Sequence, residues 1–357
     1  MNGLRLVVAC VALVVVTGCG GGAESSAPQP GPIVALPPGP VPTPTPVPPL
    51  APPPPQTLPS VERDISPSLT SGQIAGNLSP HFAVNPNAAV TARGRLFVML
   101  PGTGAVPRFY REIVRTGASR GYHAIGLTYP NDEAVGTLCA ANTDPDCAGK
   151  ARREVILGED TSPVVSVNSA NAIAGRLSAL LTFLNATFPN EGWGQFLIGG
   201  QPNWALITVA GHSQGGGHAA YMAKLFQLDR TVMFSSPGDV GIAPGSVALW
   251  LSLPNITPVS RQYGFTHTAD ELVPLALVTS NWRTIGLAAF GAPVSVDGAV
   301  SPFGNSRQLI TSVAPNPNPP SPVPAPMHSS PVVDAVTPLT ANGDFLYRPV
   351  WIYLAFP

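Results

Sequence analysis

From residue 95 onward the chain alternates short apolar runs with longer amphipathic ones. RLFVML (95–100) reads as a buried strand and RFYREIVRTGASR (108–120) as a helix, and YHAIGLTY (122–129) is a second strand. ANAIAGRLSALLTFLNATF (170–188) repeats its apolar residues at helical spacing and predicts the clearest helix in the chain. ALITVAG (205–211) is a strand, GGGHAAYMAKLFQL (215–228) a helix and RTVMFSS (230–236) a strand. Further strands are expected at VSRQYGFTH (259–267) and RQLITSV (307–313), and YRPVWIYLAF (347–356) fits either a docking helix or a strand. This alternation predicts an α/β domain, its mostly parallel central sheet covered by helices on both faces. Residues 61–357 form one such domain. The cluster Pro315–Pro326 is a loop, because the apolar stretch after it is too short to fold alone.

The first sixty residues follow no such rhythm. MNGLRLVVACVALVVVTGC has a positive start at Arg5 and an apolar core from Leu6 to Val16, the build of an export signal and too short to span a bilayer. It ends in Val16-Thr17-Gly18-Cys19, which resembles the lipobox of bacterial lipoproteins. That resemblance implies removal of residues 1–18 and lipidation of Cys19, with palmitate among the acyl groups. Gly20 follows the cysteine where an inner-membrane retention signal has aspartate, so the expected location is the outer membrane or cell surface. Residues 19–60 then form an anchor cysteine and a proline-rich linker. Proline lacks the N–H and fixes φ, so this stretch forms neither helix nor ladder. As polyproline II, its proline-rich part would reach roughly 100 Å at about 3.1 Å per residue.

With Cys10 in the signal and Cys19 lipidated, Cys139 and Cys147 remain, in the polar loop LCAANTDPDCAG. A local disulfide suits an oxidising compartment, and two thiols without a nearby histidine do not complete a metal site. The net charge of -1, with no basic run along the chain, argues against nucleic acid as a partner.

The chemistry is carried by Gly211-His212-Ser213-Gln214-Gly215, between a predicted strand and a predicted helix. This is the G-x-S-x-G nucleophile elbow in the setting that motif requires. Gly211 and Gly215 make room for the strained serine, Gly216 and Gly217 let the helix approach the sheet, and the helix N-terminus favours negative charge above Ser213. A serine hydroxyl needs a base held by an acid, in the chain order serine, acid, histidine. His81 and His123 precede the serine, while His212 and His218 lie in the motif and its helix. His328, in PMHSSPVVD, can return over the sheet edge on a long loop. His267, at a strand end, suits a structural or rim role. Two acids qualify, Asp239 in SSPGDV and Asp270 in YGFTHTADELVP, the latter placed to open a helix; Glu271 beside it points elsewhere. One oxyanion donor is the Gln214 N–H. The second comes from LPGTGAVP (100–107), where no G-K-[ST] follows to make a phosphate loop.

Taken with GYHAIGLTYPN (121–131), LPGTGAVPRFY (100–110), GHSQGG (211–216) and PMHSSPVVD (326–334), the chain resembles the α/β-hydrolase superfamily on its esterase and lipase side. More narrowly it is similar to a group of exported bacterial α/β-hydrolases. D-x-x-V-P at Asp270 resembles the acid loop of that superfamily, which favours Asp270 over Asp239. The glycine loop lies where related enzymes expose oxyanion amides, which implies the Thr103 N–H, with Gly104 in reserve; Pro101 stands where many of them have histidine. The resemblance implies a serine hydrolase that cleaves carboxylic esters, small or lipid-like, through Ser213, His328 and Asp270, with no metal or organic cofactor. The apolar, proline-rich stretch from Pro237 to Pro258, with Trp250, is the expected lid. Thioester, amide or peptide cleavage by the same triad is the near alternative. A surface lipoprotein using the fold only for binding is the distant one.

Overall fold

The structure is a computed structural model that describes residues 60–357, Pro244 apart. The export signal, Cys19 and the proline-rich linker up to residue 59 lie outside the described residues.

Nine strands form one sheet: β1 (Val61–Ile65), β2 (His81–Asn85), β3 (Leu96–Leu100), β4 (His123–Gly126), β5 (Ile207–His212), β6 (Arg230–Phe234), β7 (Gln262–His267), β8 (Val294–Ser295) and β9 (Gln308–Thr311). Their order is β1-β2-β4-β3-β5-β6-β7-β9-β8. β2 runs antiparallel to both neighbours and every other pairing is parallel. This is an α/β-hydrolase fold, a mostly parallel sheet with helices on both faces.

Alternation along the central strands explains the two faces. Leu96, Val98 and Leu100 of β3 belong to one apolar cluster and Phe97 and Met99 to the other, as period-two geometry requires. Six longer helices cover them: α1 (Arg111–Ser119), α2 (Cys147–Leu157), α3 (Ile173–Thr187), α4 (Gln214–Leu225), α5 (Leu275–Ile285) and α6 (Arg348–Ala355). α1 and α6 bury Ile113, Val114, Trp351 and Leu354 on one face; α2 to α5 bury Ile156, Leu180, Met222 and Trp282 on the other. The ambiguous 347–356 segment is thus mainly helix α6.

Several expectations shift. The strand expected over 122–129 ends at Gly126, and the helix expected over 108–120 begins as a 3-10 turn, Pro107–Tyr110. β1, β2, β8, α2 and α5 had no separate periodic signal. Asp270 opens no helix, since α5 begins at Leu275. Trp250 is not a lid residue: it is buried, and its Nε1 donates to Asp239 at 2.7 Å. Cys139 and Cys147 form a disulfide. It joins the short helix Val135–Cys139 to the start of α2.

Candidate active site

Ser213 stands between β5 and α4 with φ 53° and ψ -119°. For a residue with a Cβ that conformation stores about 1–3 kcal/mol, and the surrounding chain allows little else. A Cβ at Gly211 would strike the Gly215 backbone, one at Gly215 would strike Leu100 and Pro101, and one at Gly216 would meet Ser236. The Ser213 N–H donates to the Phe234 carbonyl of β6 at 2.9 Å.

His328 and Asp270 meet beside it. His328 Nδ1 lies 2.8 Å from both carboxylate oxygens of Asp270, with side-chain exposures of 3% and 0%. Burial pushes the Asp270 carboxyl up, but the His328 hydrogen bond and charge and the Val273 and Leu272 N–H groups outweigh it and hold it below the ordinary value. With Nδ1 bound there, Nε2 is the ring's other working atom, and it has no hydrogen-bond partner among the described residues. Ser213 and His328 line the same cavity of about 680 Å³, with no hydrogen bond between this nitrogen and the serine hydroxyl in the resting geometry.

Asp239 is otherwise engaged. Arg152 Nε donates to its Oδ2 at 2.6 Å and Nη2 to its Oδ1 at 2.5 Å, both side chains being buried. Arg152 also donates to the Gln214 carbonyl at 3.1 Å and packs where a Cβ on Gly217 would be. The pair buttresses the first turn of α4. His267 is likewise structural, accepting the Ala269 N–H at 2.9 Å on Nδ1 and bonded through Nε2 to the Val313 carbonyl at 3.2 Å.

The glycine loop lies over the serine: a Cβ on Gly102 would come 3.3 Å from Ser213 Cβ and 3.0 Å from His212 Nδ1. Gly104 donates its N–H to Asn131 at 2.8 Å and Ala105 donates to Gly102 at 3.1 Å. The Thr103 and Gln214 N–H groups donate to no group among the described residues, and both residues line the cavity. An oxyanion site needs two such unspent donors.

Three residues that the pattern did not mark hold this arrangement. His212 Nε2 donates to the His328 carbonyl at 3.1 Å, which fixes its tautomer, so Nδ1 accepts the Tyr110 hydroxyl at 2.9 Å. The Tyr110 oxygen in turn accepts the Gly102 N–H at 3.1 Å. Burial pushes the Tyr110 hydroxyl up, which keeps it a donor, and pushes His212 down to about 3, aided by the nearby His328. This buried chain ties the glycine loop to the histidine loop. Glu271, expected to point away, accepts the N–H groups of Met327 at 2.9 Å and His328 at 2.7 Å. Only the elbow's second letter hinted at His212; Tyr110 and Glu271 depend on contacts between distant segments.

Phe109, Val135, Leu272, Val273, Val323 and Val333 supply apolar wall, and the lining charges Arg152 and Asp239 neutralise one another. No group of three or more histidine, cysteine or acidic side chains that could hold a metal occurs among the described residues.

No family model matches the chain, and no curated protein matches it. Among solved structures it is similar to TT1662 from Thermus thermophilus, at 15% identity over 72% of this chain and 89% of that one, with a TM-score of 0.35. The strand order and the strained turn at Ser213 define the fold independently of that likeness.

Proposed function

We propose that this protein is a serine hydrolase of uncharged carboxylic esters, exported and held at a membrane by a lipid on Cys19. The observation that carries the catalytic reading is the buried His328–Asp270 pair, whose Nε2 is unpartnered and whose histidine lines the same cavity as the strained Ser213. Ser213 Oγ attacks the ester carbonyl carbon as His328 Nε2 takes the hydroxyl proton. The carbonyl π pair moves onto oxygen, facing the Thr103 and Gln214 amides. Collapse expels the alkoxide, which leaves as alcohol with the proton from Nε2. Water, deprotonated by the same nitrogen, then attacks the acyl-enzyme, and the acid departs as Ser213 regains its proton. Asp270 keeps the imidazole oriented and balances its transient charge.

An apolar wall without unbalanced charge supports an acyl group rather than an ionic one. Treating the protein with a fluorophosphonate should place one adduct on Ser213, and Ser213→Ala should lower kcat on p-nitrophenyl esters by about 10⁴-fold or more. Retained turnover in that variant would remove the serine mechanism. For the tether, a palmitate analogue should label the wild-type chain and not Cys19→Ala, and equal labelling of both would overturn it.

A further inference from the structure

Ser213 sits at the carboxyl end of β5. At the opposite edge of the sheet, where β6, β7 and β9 begin, a separate cavity of about 370 Å³ opens. Arg230 starts β6, Arg307 immediately precedes β9 and Arg120 follows α1, and all three line it. Among the described residues none of the three makes an ion pair. No aspartate or glutamate lines the cavity. Asp229, beside Arg230 in sequence, is turned to Arg95 at 3.3 Å.

The guanidinium groups of Arg230 and Arg307 are held in place by neutral partners. Arg230 and Arg307 lie 4.9 and 4.6 Å from the centroid of the Tyr263 ring. Arg307 donates through Nε to Ser260 at 2.9 Å and through Nη1 to Asn305 at 2.8 Å, and Arg230 donates through Nη1 to Leu354 at 3.3 Å. These carbonyls position the side chains and cancel no charge. The Nη2 groups of both remain without a partner among the described residues. Two ring-stacked guanidinium groups and the exposed Arg120, around a cavity that Pro357 also lines but no acidic side chain does, make an oxyanion receptor.

We propose that this cavity binds a phosphoryl group, presented either on a soluble phosphate ester or on an anionic lipid headgroup. Three guanidinium groups supply more charge than a lone carboxylate balances. The space exceeds that of a bare phosphate, and Tyr263, Ile352 and Phe356 give an organic substituent an apolar wall. The site is independent of the ester chemistry.

The test uses the full chain as wild type, Arg120→Gln/Arg307→Gln, Arg120→Gln alone, and Arg283→Gln as an exposed control on α5, with thermal melts to establish folding. Each is titrated calorimetrically with inorganic phosphate and glycerol phosphate, and floated with phosphatidylcholine vesicles with and without phosphatidylglycerol. Salt-sensitive phosphate binding, weakened about tenfold or more in both Arg120 variants and kept in the control, would support a soluble ligand. Loss confined to the phosphatidylglycerol vesicles would support a headgroup. Should Arg307→Gln unfold the double variant, Arg120→Gln alone carries the comparison. No binding to either probe, or equal binding by wild type and a folded Arg120 variant, would overturn the proposal.

Discussion

Two aspartates that look alike along the chain occupy opposite electrostatic situations. Asp270 faces a histidine that lines the cavity, and Asp239 is neutralised by Arg152 and capped by Trp250. On the proposed mechanism Asp270→Asn should lower kcat by about 10⁴-fold with little change in folding, because the imidazole loses its tautomer and its counter-charge. Asp239→Asn should instead leave a buried Arg152 charge unpaired and cost about 3–5 kcal/mol of stability. Paired kinetics and urea unfolding of the two variants separate these outcomes, and the reverse pattern would exchange their roles. His212→Phe tests the buried chain at the same scale. It removes the bonds to Tyr110 and His328, so kcat should fall without a comparable rise in KM, whereas a purely packing role would move the unfolding midpoint alone.

At the scale of elements, the elbow works because β3, β5 and α4 meet without side chains between them, and the glycines were readable for that reason. The cavity wall was not. The short helix Val135–Cys139 lines the cavity through Val135, Gly136 and Thr137. It is fixed by the Val135 N–H on Gln214 Oε1 at 2.8 Å and by the disulfide to α2. Closing a loop with a sequence separation of 8 stabilises by about 2.5 kcal/mol in the chain-entropy account. Cys139→Ser/Cys147→Ser should lose stability of that order and raise KM for esters, as the wall loosens beside the serine. An unchanged KM would assign the bond to stability alone. The expected lid also changes character at this scale. Trp250 anchors its middle, while Val240, Ile242 and Leu249 around it stay exposed.

For the whole molecule, buried neutral histidines set the response to acid. His81 and His212 are both lowered from 6.5 to about 3, first by burial and then by Arg176 and His328 respectively. A folded value below the unfolded one means that the unfolded chain takes up more protons between those limits. Stability from these groups is therefore full above about pH 6.5 and is lost as pH falls toward about 3. Urea midpoints measured across that window should decline as pH falls, and His81→Asn should flatten the slope by removing a titrating imidazole while keeping an acceptor for the Thr128 N–H, now 3.0 Å from Nδ1. An identical slope in the variant would exclude His81 from the effect.

Periodicity alone determined the α/β class, the clearest helix and the central strands, because alternation and helical spacing are local consequences of burial on one or two faces. The elbow at Ser213 was equally local, its glycines being demanded by five consecutive residues and their immediate neighbours. Tertiary structure decided which acid faces His328, which loop amides stay unspent, and that His212, Tyr110 and Glu271 hold the two loops together. It also gathered Arg120, Arg230 and Arg307, far apart along a chain without any basic run, around one cavity. Hydrogen bonds and ion pairs of this kind join segments whose separation along the chain carries no signal. Their partners exist only once hydrophobic burial has fixed the sheet and brought its loops to the same edge.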